Sequence, residues 1–397
     1  MLKKIGIAVI FIFIALVTGS YLYVSRAYPQ TAPLIALTYL AESIITPHTK
    51  LDKHVMGFMP FWQVDNSKYV KPEHLSEINY FSITATGDGS LLRSTAEPGW
   101  QGWEKEETQN LLTEARIKGT DVTVTVAILD AITIEELLGS PLAQDTFVQE
   151  LTDFINENNL DGVTIDFEYI DIPSEAMIDQ FTNLSTKLRE SIGDDKTMSL
   201  AIMPRAVRDP DIFDYEAIEP LYDRFIGMSY EYYPGINEFS APIAPMTGIE
   251  SNYFFDVTTT YEDYISVLPK EKIVMGIPYY GWERAVEDGP TEGSYAYPVG
   301  HPNHYAAVMS YGRARESKDI KTEQCTWQEV AMETWCWYTD KETGIDHQAW
   351  IADNKSINVR FKFAKEKALG GIAIWTLGYD KDYPDLWDMI STLFTKS

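Results

Sequence analysis

Eight short apolar runs, each followed by a stretch long enough to hold a helix, constrain this chain more than any other feature. They begin at His54, Ile78, Asp121, Gly162, Met198, Arg224, Lys272 and Gly370. Each reads as a strand candidate. Alternation of this kind is the pattern of a parallel α/β fold, and eight strands close a barrel. The expected fold class is therefore α/β, a (β/α)8 TIM barrel. One interval breaks the rhythm. Residues 283–356, between the seventh and eighth runs, read as an α+β insertion. In a barrel, function sits on the loops beyond the strand C-termini, so an insertion here is expected to wall one side of a cleft.

Two helices carry their own signals. Asp145 is expected to cap a helix whose face is Phe147, Leu151, Phe154 and Ile155, ending at Asn158 and Asn159. Ser174 is expected to cap the next, with Ile178, Phe181, Leu184, Leu188 and Ile192 inward and Gly193 as its stop. These are core positions and carry no chemistry.

The N-terminus reads as a targeting segment. Lys3 and Lys4 precede an apolar run, Ile5 to Val24, of about the 20 residues that cross a bilayer. Residues 1–25 are expected to be a signal anchor; a cleaved signal peptide is the alternative, since Val17 to Gly19 offers small residues. The flanking lysines place everything after Arg26 outside the cytoplasmic membrane. Residues 26–52, with Pro29, Pro33 and Pro47, read as a stalk, and 53–397 as the barrel. In such an exported domain Cys325 and Cys336 read as a disulfide closing a small loop, with two unpaired thiols as the alternative. A formal charge of -27 argues against nucleic acid and anionic membrane as partners. No phosphate loop, nucleophile elbow or metal-ligand cluster stands out among the six histidines. No cofactor or metal is expected, and the chain is read as a monomer.

The chemistry gathers in one strand, Leu160 to Ile170. Alternation points Thr164, Asp166 and Glu168 one way and Val163, Ile165 and Phe167 the other. An amphipathic edge strand with a solvated acidic face is the bland interpretation. Inside a barrel, however, the acidic face looks into the interior, where a carboxylate without a task is costly. Two carboxylates about 6.6 Å apart along one face share a field, so one ionised group keeps the other protonated near neutrality. Glu168, nearer the C-terminal end of its strand, is the candidate general acid.

Asp161, Gly162, Asp166 and Glu168 resemble the DGxxxDxE signature of glycoside hydrolase family 18, the chitinase and endo-N-acetylglucosaminidase family. Thr164 departs from it, standing where many members carry Asp. Further stretches resemble the family in order. Met228 to Tyr233 is similar to the sixth-strand MxYD motif, with Tyr230 in the place of the tyrosine that holds an N-acetyl carbonyl and Glu231 where Asp is usual. Gly276 to Trp282, with Tyr279 and Trp282, resembles the seventh-strand motif, and Trp375 stands in the place of the tryptophan beneath the bound sugar. Met203 falls where the fifth strand lends a cleft residue. The WYTD stretch at 337–340, with His347, Trp350, Asp353 and Ser356, resembles the bacterial spore-germination-type branch.

The resemblance implies a retaining, substrate-assisted hydrolysis of β-1,4-linked N-acetylglucosamine in chitin, chitooligosaccharide or peptidoglycan-type glycan. Glu168 would be the acid, Asp166 would orient the acetamide and Tyr230 would hold it. Asp161, Thr164, Met203, Met228, Glu231, Tyr279, Trp282 and Trp375 would bind sugar. Trp327, Trp335 and Trp337 of the insertion are expected to divide between core and sugar platform. Because Thr164 cannot share a negative charge, Asp166 is expected to stay ionised over a wider pH range. The alternative from another class is a non-catalytic glycan-binding protein on the same fold; the presence of Glu168 argues against it.

Overall fold

The computed structural model describes residues 50–235, 237–248 and 253–395. The expected anchor and nearly all of the expected stalk lie outside them. Eight parallel strands close a barrel: β1 (His54–Pro60), β2 (Glu77–Thr84), β3 (Asp121–Ile128), β4 (Gly162–Phe167), β5 (Thr197–Ile202), β6 (Arg224–Gly227) and β7 (Ile273–Pro278), closed by β13 (Gly371–Trp375) between β7 and β1. All eight runs form strands. The sixth is shorter than its sequence promised, because at Met228 the chain leaves the sheet for the loop that carries Tyr230 and Glu231.

Strand alternation sorts the two faces of the wall. Phe167 turns outward and meets Phe147 of the Pro141–Glu157 helix and Phe181 of the Glu175–Ile192 helix, with ring centroids 5.9 and 6.1 Å away. The apolar helix stripes are what this outer face buries. Ser174 caps the second helix through the Met177 N–H, and Gly193 ends it with φ 77°. The first helix starts earlier than expected. Ser140 is its cap, accepting from the Ala143 N–H, and Pro141 opens the first turn. Asp145 instead sits one turn inside and pairs with Lys187 at 2.7 Å.

Between β7 and β13 the chain builds a second, antiparallel sheet. Its strands are β8 (Tyr280–Val286), β9 (Ala306–Ser310), β10 (Cys325–Gln328), β11 (Glu333–Thr339) and β12 (Asp346–Ile351), in spatial order β10-β11-β12-β8-β9. The barrel resumes with the Asn354–Glu366 helix. Cys325 and Cys336 face each other across β10 and β11 and form a disulfide. A buried ion pair ties the sheet down: Glu333 on β11 meets Arg360 of the Asn354–Glu366 helix at 2.5 Å and also accepts the Ala244 N–H at 2.9 Å. Trp335 and Trp350 fill the core of this sheet, while Trp327 lies under the Lys355 ammonium, 3.7 Å from its ring centroid. Neither these tryptophans nor Trp337 reaches the barrel mouth.

Candidate active site

A cavity of about 200 Å³ opens at the C-terminal mouth of the barrel. Asp166, the last inward residue of β4, is 3% exposed, and its Oδ1 is buried without a hydrogen-bond partner. Burial, then the nearby Glu168 carboxylate, pushes its carboxyl up to about 8. The direction of this shift runs against the expectation that Asp166 stays ionised over a wider pH range. Thr164 does remove one neighbouring charge, but Phe58, Ile226 and Ala201 surround Asp166 with apolar surface, and desolvation outweighs the missing repulsion.

Glu168 follows the last residue of β4, and its N–H still bonds to the Ile128 carbonyl at 3.0 Å. It therefore keeps the inward face while standing half-buried at the rim. Burial raises its pKa as well. The carboxyls share one wall and approach a ligand from the same side.

Opposite them, Tyr230 and Trp375 form the aromatic part of the cavity, with Phe58 and Phe81 packed edge-on against Trp375 at centroid distances of 5.5 and 4.8 Å. Burial, and then the charges of Asp166 and Glu168, hold the Tyr230 hydroxyl far above its ordinary pKa, so it serves as a neutral donor. Glu231 has a left-handed backbone, φ 58°. Its Oε1 accepts from the Tyr280 hydroxyl at 2.5 Å and its Oε2 from the Trp282 indole at 3.3 Å. The longer side chain thus spans to the first strand of the insertion. The buried Arg284 guanidinium fixes that loop, donating to the Phe239, Tyr233 and Pro234 carbonyls at 2.6, 3.0 and 2.5 Å.

Most of the candidate residues come together here. Thr164, Asp166, Glu168, Met228, Tyr230, Glu231 and Trp375 border the cavity, and Trp282 touches it through Glu231. Met203 lies beside it, in a neighbouring hollow of about 280 Å³ that Glu231 also borders.

Two candidates lie elsewhere. Asp161 precedes β4 at the opposite end of the barrel, where its Oδ2 accepts the Val122 N–H at 2.8 Å. Tyr279 is buried toward Asp380 and Tyr311, away from the cavity. The seventh strand ends at Pro278 and a new one begins at Tyr280, so the break reverses the facing and Tyr280 lines the cavity instead. Thr125, Phe58, Phe81 and Tyr280 were among the cavity residues that sequence reasoning passed over. Inward parity in β1, β2 and β3 would have flagged the first three; Tyr280 needed the strand break. Among the described residues, no group of metal-ligating side chains converges.

Residues 54–380 match the family described as glycosyl hydrolases family 18. The chain belongs to that family. Its relatives within the family are distant. YdhD of Bacillus subtilis (strain 168), by description a sporulation-specific glycosylase, is 25% identical over 258 residues, 62% of this chain and 54% of that one. The chain therefore spans about half the length of that relative. The cortical fragment-lytic enzyme of Bacillus cereus is 22% identical over 397 residues, covering 94% of this chain and 77% of the enzyme. Among solved family structures, the spore cortex-lytic enzyme SleL of Bacillus megaterium QM B1551 superposes with a TM-score of 0.66 at 22% identity, covering 89% of this chain and 76% of SleL. The group IV chitinase of Ostrinia furnacalis in complex with allosamidin gives 0.71 at 18% identity, covering 86% and 98%. These likenesses establish the barrel.

Proposed function

We propose that this family 18 glycoside hydrolase cleaves β-1,4 linkages following N-acetylglucosamine in a retaining, substrate-assisted reaction with Glu168 as acid and base. One observation carries the mechanism: Asp166 and Glu168 project from the same face of one strand. A retaining pair needs its nucleophile and acid about 5 to 5.5 Å apart on either side of the scissile bond. Two carboxyls on one wall cannot flank the bond, so the nucleophile comes from the substrate. The acetamido oxygen attacks the anomeric carbon as the Glu168 proton passes to the leaving oxygen, giving an oxazolinium. Glu168, now a carboxylate, takes a proton from water, which opens that ring from the same face as the departed group.

Asp166 and Glu168 titrate as a pair. With the cavity empty, burial keeps the shared proton on Asp166. A bound acetamide N–H donates to Asp166, favours its carboxylate and leaves the proton on Glu168, where the glycosidic oxygen needs it. The Tyr230 hydroxyl donates to the acetamido group, and Trp375 offers its face to the sugar C–H surface. The relatives described as cortical fragment-lytic enzymes favour peptidoglycan-type glycan over chitin. The apolar run after Lys3 and Lys4 favours work outside the cytoplasmic membrane.

The test compares hydrolysis of N-acetylchitooligosaccharides and of peptidoglycan glycan strands by wild type and Glu168→Gln, alongside a deacetylated oligomer. Turnover lost in the variant and absent on the deacetylated sugar is the expected result. Binding of acetylated glycan with no turnover by wild type would identify a lectin instead.

A further inference from the structure

The hollow of about 280 Å³ beside the catalytic cavity, over β4, β5 and β6, holds a carboxyl that the proposed reaction does not use. Asp211, on the loop after β5, lines this hollow and is 8% exposed. Its Oδ1 accepts the Ile212 N–H at 2.6 Å. Among the described residues its Oδ2 has no donor. A carboxylate placed so deeply is costly unless further donors or a cation answer it.

The other charges of the hollow are already answered. Arg205 pairs with Asp209 at 2.7 Å and lies over Phe255, 4.1 Å from the ring centroid. Glu231, on the wall shared with the catalytic cavity, spends its oxygens on Tyr280 and Trp282 and faces the Arg284 guanidinium. Asp211 has no such cation, and burial pushes its carboxyl up to about 7. A neutral donor would satisfy Oδ2 and leave the buried charge uncompensated, whereas an anion would be repelled. A ligand carrying an ammonium meets both needs. Around Asp211, Tyr169, Tyr232 and Met203 supply the apolar surface that suits the face of a sugar ring.

The hollow also has a direction relative to the cleaved bond. Tyr169 and Ile170, which border it, directly follow Glu168. In the barrel order β4 stands across from β13, the strand that carries Trp375. With one sugar on Trp375 and the scissile oxygen at Glu168, the leaving sugar lies beyond Glu168, over the hollow.

We propose that this hollow binds a free amino group on the leaving sugar, with its ammonium against Asp211 Oδ2, so that the enzyme favours linkages with an acetylated residue before the bond and a deacetylated one after it. The leaving-side placement rests on the proposed reaction; the amine site does not.

Partially deacetylated chitosan is digested by the wild-type protein and the product ends are read by mass spectrometry. New reducing ends should be N-acetylglucosamine. At new non-reducing ends the ratio of glucosamine to N-acetylglucosamine should exceed that of the polymer by about tenfold, the worth of a hydrogen bond between charged groups. In Asp211→Asn that ratio should fall to the polymer's own. Should this variant unfold, the wild-type ratio still decides. Calorimetric titration with the fully deacetylated tetramer reads the site without turnover, and wild type should bind it about tenfold tighter than the folded variant. Equal affinity of the two proteins, or non-reducing ends that mirror the polymer, would overturn the proposal. Amine binding that depends on Asp211, with no cleavage of any acetylated glycan, would sink the proposed reaction and leave the amine site standing.

Discussion

Tyr230 and Trp375 lie nearly parallel, 9° apart in plane with ring centroids separated by 5.9 Å. They come from loops and strands far apart in sequence, and the barrel closes them onto one cavity whose opposite wall carries both carboxyls. Aromatic faces, a neutral phenol and two acids, one buried and one half-buried at the rim, suit an uncharged ring better than an anion.

Trp375→Ala should therefore weaken glycan binding by about 1–3 kcal/mol, as loss of an aromatic stacking face does elsewhere. Four rings pack around it, those of Phe58, Trp62, Phe81 and Tyr230, so a cavity cost to stability accompanies it. Calorimetric titration with an N-acetylated oligomer at a temperature well below the melting point separates the two; unchanged affinity in a folded variant would exclude contact with sugar.

Asp166→Asn should stabilise the protein while disabling it. A carboxyl whose folded pKa is raised contributes stability fully present below its unfolded value and lost as pH rises through the folded value. For Asp166 that window runs from about 4 up to about 8. Asparagine has no proton to lose, so the melting temperature of the variant should exceed that of wild type near pH 8 and match it near the acid end. A difference independent of pH would contradict the buried, neutral acid.

Tyr280→Phe should act on substrate through Glu231. The Glu231 carboxyl is raised by burial and pulled back by its bonds to Tyr280 and Trp282. Removing the phenol leaves it freer and more readily protonated. A loss of roughly tenfold in kcat/KM is expected, the worth of about one hydrogen bond to a charged group, with melting temperature little changed. Equal activity in the variant would mean that Glu231 does not meet the substrate.

Replacing Cys325 and Cys336 by serine should cost about 2–3 kcal/mol by the chain-entropy estimate for a short loop and leave kcat within twofold. The bond joins β10 to β11 at the edge of the insertion sheet farthest from β8, whereas Tyr280 and Trp282 on β8 are what touch the site. Thermal melting and steady-state rates of the double variant are the measurements, and a collapse of activity in the folded variant would show that the edge hairpin takes part in binding.

Much of this was legible in the amino-acid order because period and parity are local properties. Eight apolar runs separated by helix-length intervals admit few closed arrangements, and alternation in Gly162 to Glu168 put both carboxyls on one face before any tertiary contact was known. The Ser174 cap and the Gly193 stop were read directly from residue type. Asp145 was misplaced because Ser140 and Pro141 together make the stronger start, and Tyr279, named from its resemblance to a motif, is turned away from the cavity because the strand ends at Pro278.

What the chain order could not decide was environment. Whether Asp166 keeps its proton depends on Phe58, Ile226 and Ala201, which approach from three other strands only when the barrel closes. Thr164, read along the chain, was simply a missing charge. In the closed barrel its hydroxyl accepts from the Asn79 carboxamide at 3.0 Å, a partner 85 residues away, because hydrogen-bond partners and desolvation depend on neighbours in space. The sequence determined the barrel and the pair of acids; folding decided how deeply each acid is buried and which side chains surround it.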